Sequence, residues 1–535
     1  MNLGTSKLYK INIIFFISIL FIFTSCTKKI NIDYTKTIEP LKEDTNNSIN
    51  IFEDTKPEII IIKEAPKKVE NKIIKQKVIP LDIKEISTVT PKNIAIENKN
   101  ENKKIITTKE STELDIKNLD QFRFDFIKKG KQDNNTFLIV AGIQGDEPGG
   151  FMAASLFSTH YKVTKGSVWV IPNLNFYSII KRSRGPYGDM NRKFANLSKD
   201  DPEYEIIQRI KSYIKSPEVT LILNLHDGSG YYRPKYIDKN HQPRKWGQCS
   251  VIDQKVLDGI KKYSNTYEIS EEVVKHLNNH LLNKEHIYRT KNTHTRFQKT
   301  YEETEMAKTL TYYAVKQGKS AFGHETSKDL TVEQRVYYKL LAIEKYMNIM
   351  GIEYERNFPL TVEGIKKALN DDINIKFDDT DVKMPLKDIR NIQKYFPVHK
   401  DGVIKYLPSN PLIKIIKVKN EYVIYYGNRR LTKLQADYKE HLNFDTKIDF
   451  VIDGEEKKIK FGDTVKVKKT FLVKQNSKFR VNVIGYKSKS GIETEQEISK
   501  DMFLKHYSIE KNGNIYRIEF YKGNKFAGMI LAEFI

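Results

Sequence analysis

The chain is 535 residues long, 39% hydrophobic and 30% charged, with a formal net charge of +23 and two cysteines. That length exceeds one ordinary domain and can bury a large core, and with so few cysteines stability must come from packing rather than from a disulfide framework. The basic balance could serve nucleic acid in a cytosolic protein or an anionic wall or phospholipid surface in an exported one, and lysine-rich genome composition explains it equally well.

The amino terminus decides between these settings. Lys7 and Lys10 precede the apolar run INIIFFISILFIF, Ile11 to Phe23, roughly 13 residues and shorter than the about 20 that span a bilayer. It ends in Thr24-Ser25-Cys26, small residues before a cysteine, which resembles a bacterial lipobox. The expectation is a signal peptide over 1–25, lipidation of Cys26 and a periplasmic, membrane-anchored lipoprotein. An ordinary secretory signal or an uncleaved anchor is the alternative, and nucleic acid drops out as a partner.

Residues 26–112 are dominated by Lys, Asn, Glu, Thr and Ile, with hardly an aromatic or a glycine. They read as a disordered tether, which as a flexible coil reaches on the order of 50 Å. From 113 to 355 strand-like and helix-like stretches alternate. The apolar runs NTFLIVAG (135–142), GSVWVIPNLN (166–175), VTLILNLHDG (219–228) and SAFGHETS (320–327) suit strands buried on both faces of a sheet. Amphipathic stretches at 203–216 and 331–351 lie between or after them. This alternation predicts an open α/β sheet with helices on both faces and its site at the carboxyl ends of strands. A lone helix-like piece at 358–371 is followed by short alternating strands, including the hairpin-like LIKIIKVKNEYVIYYGNRRL (412–431). We expect a small α+β domain over 356–440 and a β-sandwich-like domain over 441–535.

Four stretches carry residues of metal-hydrolase type. GIQGDEPGG places Gln144 and Glu147 three apart in a tight loop after a strand. KRSRGPYGDMNRKF holds Arg182, Arg184, Asp189, Asn191 and Arg192; LNLHDGSG holds His226, and FGHETS holds Glu325. In this order they resemble the zinc carboxypeptidases of the carboxypeptidase A fold, whose pattern is His-x-x-Glu, an arginine, Asp-x-Asn-Arg-x-Phe, a strand-end His and a late Glu. The resemblance covers roughly residues 120–350 and implies a mixed sheet of that type. It implies Gln144, Glu147 and His226 as ligands of a catalytic Zn2+ with an open position for water, and Glu325 as general base. It further implies Arg184 at the oxyanion, Asn191 and Arg192 on the substrate's terminal carboxylate, and Asp189 orienting the arginines.

The departure is Gln144 where the pattern has histidine, a weaker neutral donor. This Gln-x-x-Glu variant is similar to that of the peptidoglycan DL-carboxypeptidases that determine helical cell shape. That resemblance implies a peptidoglycan stem peptide as partner and removal of terminal meso-diaminopimelate from tripeptide stems. An amidohydrolase of the same fold acting on another acylated amino acid, and a wall-binding scaffold with a dead metal site, are the competing readings.

Other candidates read as ordinary structure. His276 and His280 lie four apart on a predicted helix but without the glutamate of a zinc-protease helix. His324 is expected to face away from Glu325, because neighbours on a strand point to opposite sides. Arg182 competes with Arg184 for the oxyanion role. No motif singles out a catalytic tyrosine among those such as TYYA (311–314).

Overall fold

Apolar runs flanked by glycine turns build the centre of the molecule, seen in a computed structural model that describes residues 122–535 except Asn420. The signal peptide, Cys26 and the tether expected over 26–112 lie outside the described residues. Seven strands form one sheet: β1 (Ile127–Gly130), β2 (Thr136–Ala141), β3 (Ser167–Ile171), β4 (Val219–Gly228), β5 (Cys249–Ile252), β6 (Arg289–Asn292) and β7 (Ser320–Ser327). Their spatial order is β1-β3-β2-β4-β7-β5-β6. The four central strands β3, β2, β4 and β7 run parallel, whereas β1 pairs antiparallel to β3, and β5, antiparallel to β7, pairs parallel with β6, so the sheet is mixed. All residues of β2 and β3, and all but Thr220 of β4, are buried, as central strands covered on both faces must be.

Helices cover both faces: α1 (Pro148–His160), α2 (Phe176–Lys181), α3 (Tyr204–Lys215), α4 (Thr266–Asn278), α5 (Tyr301–Met306), α6 (Leu310–Lys316) and α7 (Val332–Ile349). The amphipathic α3 turns Ile207, Ile210 and Ile214 onto one face of the sheet, where Leu310 and Ala314 of α6 join them. On the other face α1 and α7 pack against β4, and α7 starts at a capping box in which Thr331 and Gln334 satisfy each other's backbone amides. Helix α1 is buried on nearly every side, from Gly149 to Ser158.

Beyond α7, strand Glu353–Arg356 pairs with Tyr161–Lys165, and α8 (Val362–Asn370) precedes a three-stranded and a four-stranded sheet. The hairpin signal at 412–431 is realised as Ile413–Val418 against Glu421–Tyr426. This region shares one apolar cluster with the part built on the seven-stranded sheet, in which Phe151 of α1 and Tyr426, Ile424 and Leu434 belong together. Gly427 sits at the joint, where an added Cβ would press at a tight 3.1 Å on the Phe151 ring and the Met152 methyl. The carboxyl-terminal region is two four-stranded sheets enclosing a second core of Phe450, Phe471, Phe520 and their neighbours, a sandwich of the expected kind. Among the described residues no helix is long and apolar enough to cross a membrane.

Candidate active site

Three parallel strands deliver their carboxyl ends to one edge, and the loops leaving them meet there. Gln144 and Glu147 leave β2, with Glu147 at the N-cap of α1 and Pro148 opening the helix, so a carboxylate stands at the positive end of a helix. His226 stands near the end of β4 and Glu325 near the end of β7, and the register pairs these two residues directly. The pocket they line, with Arg184, Asn191, Arg192, Trp246, Thr311 and Lys328, is an open cleft with a cavity volume of about 240 Å³.

Gln144 Oε1 and Glu147 Oε2 both point at His226 Nδ1, at 3.1 and 3.0 Å. One imidazole N–H shared between two oxygens makes two weak bonds, whereas three donor atoms clustered within 3.1 Å of His226 Nδ1 suit a cation. Among the described residues no group of three His, Cys, Asp or Glu is placed to hold a metal; the donor set reaches three only with the glutamine. Its amide is held the right way round, because Nε2 donates to Asp189 Oδ1 at 2.7 Å and leaves the carbonyl oxygen facing the cluster. The residues present therefore fit a divalent metal, with Gln144, Glu147 and His226 holding it.

Asp189 also receives Arg184 Nε at 3.0 Å and the Asn191 backbone N–H at 3.0 Å. Arg184 reaches on to Glu147 Oε1 at 3.4 Å and keeps half of its side chain exposed in the pocket. Arg182 turns elsewhere, donating to the Asn428 carbonyl at 2.9 Å, so of these two arginines it is Arg184 that lines the pocket. Asn191 is buried, with Oδ1 accepting from the Leu310 backbone and Nδ2 facing His226 Nε2 at 3.5 Å. Arg192 lies against Glu305 at 3.5 Å and Asp189 at 3.9 Å, partly open to the pocket.

Glu325 keeps part of its surface open to the pocket, yet its Oε2 is buried without a hydrogen-bond partner. Burial, reinforced by the nearby Glu147 carboxylate and opposed by His226, pushes its carboxyl up to about 7, the range in which a carboxylate works as a general base. His324 points the other way, fully buried and stacked on Tyr288 with ring centroids 5.3 Å apart. His276 lies in the last turn of α4 and His280 in the turn just beyond its end, with ring centroids 4.6 Å apart, and neither lines the pocket. Of TYYA it is Thr311 that reaches the pocket wall, and among the described residues no tyrosine lines it.

Sequence reading missed the buried frame behind Glu147 and His226. Asp227 is fully buried and accepts from the Gly149 backbone at 2.8 Å, Arg335 at 3.1 Å and Thr326 at 2.6 Å, and it pairs with Lys339 at 3.1 Å. Lys339, equally buried, also donates to the His226 carbonyl. These cations hold the Asp227 carboxyl below its ordinary range despite its burial. A side chain at residue 149 would strike the Asp227 carboxylate at 2.5 Å, so glycine lets the α1 amino terminus close on β4. Lys328 was also missed; it bonds Asp146 Oδ2 at 2.6 Å and approaches Glu147 Oε1 to 3.8 Å.

Comparison with known proteins places this geometry. The family described as carboxypeptidase controlling helical cell shape, catalytic, matches residues 117–370, and the C-terminal domain of metallo-carboxypeptidase matches 442–535. The chain is similar to the tripeptide-bound cell shape determinant Csd4 of Helicobacter pylori, with 40% identity, a TM-score of 0.71, and coverage of 77% of this chain and 100% of that one. The apo form of the same protein matches at 39% identity and TM-score 0.71, covering 77% and 100%. The meso-diaminopimelate-bound form, described as a D,L-carboxypeptidase, matches at 40% and 0.71, covering 76% and 100%. No curated protein sequence matches the chain. The chain belongs to the family of metallocarboxypeptidases that control helical cell shape.

Proposed function

We propose that the protein is a zinc-dependent DL-carboxypeptidase that removes terminal meso-diaminopimelate from peptidoglycan tripeptide stems, leaving dipeptides, and so influences cell shape. The observation that carries this reading is the convergence of Gln144, Glu147 and His226 on one point with the unpaired Glu325 beside it. The family membership and the peptidoglycan ligands of the similar Csd4 structures support it.

Zinc in that position supplies an acidified water and a Lewis acid for the scissile carbonyl. Glu325 takes the proton of the attacking water as the C–O bond forms, then hands it to the diaminopimelate nitrogen as the C–N bond breaks. Arg184, fixed by Asp189 and open to the pocket, donates to the oxygen that becomes negative in between. Arg192, flanked by Asn191, receives the terminal carboxylate, which confines cleavage to the last residue. Asp227 and Lys339 keep His226 in place from behind.

We further propose that the protein is exported to the periplasm and lipidated at Cys26, with residues 26–112 as the leash between membrane and wall. Fatty-acid labelling that survives Cys26→Ser would remove that part.

The test of function supplies the protein with Zn2+ and L-Ala-γ-D-Glu-meso-diaminopimelate, beside Glu325→Gln and chelated samples. Release of diaminopimelate that disappears in both controls is expected. No release from zinc-loaded protein would overturn the reading in favour of a wall-binding scaffold.

A further inference from the structure

One wall of the pocket stands apart from the cores that hold the sheet. Trp246 and Met306 line the pocket there, Trp246 near the end of the long connection between β4 and β5 and Met306 at the end of α5. With Tyr232, Cys249 and Val251 they form a small apolar cluster of their own, separate from the two larger ones that pack against the sheet. A wall with so little buried surface opens locally at low cost unless something ties its parts together.

A buried lysine ties them. Lys291 is carried on the edge strand β6, where its register partner is Val251, and it is only 5% exposed. Its ammonium donates to the Pro243 carbonyl of the loop at 2.9 Å and pairs with Glu302 of α5 at 3.3 Å. The same nitrogen lies 4.0 Å from the centre of the Trp246 ring and 4.9 Å from that of Tyr232, where a desolvated cation is attracted to the faces of both rings. Strand, loop and helix are thus joined at one atom. A methionine could fill the same space, but it would bind neither the carbonyl nor the carboxylate.

We propose that Lys291 is a positioning residue, which clasps the loop after β4 to α5 and fixes the Trp246 wall in the shape the substrate meets. The kinetic consequence rests on the proposed carboxypeptidase reading; the clasp itself does not. With the clasp in place the wall is ordered before substrate arrives, so binding does not bear the cost of ordering it. Lys291 does not itself line the pocket, so its loss weakens ground state and transition state alike, which raises KM and spares kcat.

The experiment uses the zinc-loaded full chain with L-Ala-γ-D-Glu-meso-diaminopimelate, beside acrylamide quenching of tryptophan fluorescence without substrate. The chain has two tryptophans, and Trp169 is 3% exposed, so the quencher reaches chiefly Trp246. Lys291→Met is expected to raise KM about tenfold, with kcat within about threefold of its original value, and to increase quenching. Lys291→Arg, which keeps a cation and its donors, should restore most of both. Glu302→Ala, which cuts one arm of the clasp at a half-exposed position, should shift both readouts the same way by less. KM and quenching unchanged in Lys291→Met overturn the proposal even if that variant is less stable, because a lysine that serves stability alone would move neither. Should Lys291→Met not fold, Glu302→Ala decides by the same two readouts, and no change in either overturns the proposal. Absence of product from the unaltered protein would instead overturn the proposed function, and the quenching would still judge the clasp.

Discussion

Replacing Asp189 by alanine should weaken metal binding although Asp189 touches no metal. Its Oδ1 accepts from Gln144 Nε2 at 2.7 Å, a charge-assisted bond that holds the amide with its oxygen toward Glu147 and His226. Such bonds contribute about 1.5–3 kcal/mol, and losing the group that orients a ligand costs roughly 10- to 100-fold in metal affinity. Without Asp189 the amide can turn its N–H groups inward, where they cannot ligate. The zinc dissociation constant, measured by competition with a chromophoric chelator, should therefore rise by about 10- to 100-fold. Asp189 also holds Arg184 and the Asn191 backbone, so a single variant mixes causes, and a double-mutant cycle separates them. In Gln144→Glu both terminal atoms are oxygens and no wrong orientation exists, so Asp189→Ala should no longer weaken the metal there. Equal losses in both backgrounds, or no loss in either, would refute the orientation argument.

Glu325→Gln removes the proton acceptor while keeping the side-chain shape, and kcat should fall by about 10²- to 10⁴-fold with metal content unchanged by elemental analysis. Lys339→Met leaves the buried Asp227 with Arg335 as its remaining cation, so urea unfolding should show a loss of about 3 kcal/mol. Asp253 is buried against Thr293 and Thr295, and burial raises its carboxyl from 3.8 to about 6. The native state therefore holds this proton more tightly than the unfolded chain between those values, and above pH 6 folding carries the cost of a buried anion. Asp253→Asn should accordingly stabilise the protein by roughly 1–3 kcal/mol at pH 7.5, with the gain shrinking as pH falls towards 4; a pH-independent difference would refute the assignment.

How much of this was legible in the sequence depended on the reach of each signal. Strands β2, β3, β4 and β7 announced themselves because a strand buried on both faces must be a continuous apolar run. Helix α1 left no such trace, since a helix buried on nearly every side has no polar stripe to mark its period. The ligand residues were recognisable only as an ordered set, and the register that sets Glu325 beside His226 belongs to the folded sheet. Asp227 and Lys339 were invisible for a related reason. They are partners 112 positions apart (339 − 227), and an Asp-Gly after a strand reads as the start of a turn. Gln144 looked like a flaw until Asp189 Oδ1 was seen to fix its amide.

The shared core between α1 and the region after α7 bears on how the enzyme can be divided. Phe151 and Met152, one turn into the helix whose first residues follow Glu147, rest on Gly427, and Arg182 reaches the Asn428 carbonyl. A catalytic fragment ending near residue 355 would leave Phe151 without this cover, next to the loop that presents Gln144 and Glu147 to the pocket. The region after α7 thus braces the loop that carries Gln144 and Glu147, and it is not a detachable module that could be exchanged between enzymes without retuning the pocket it supports.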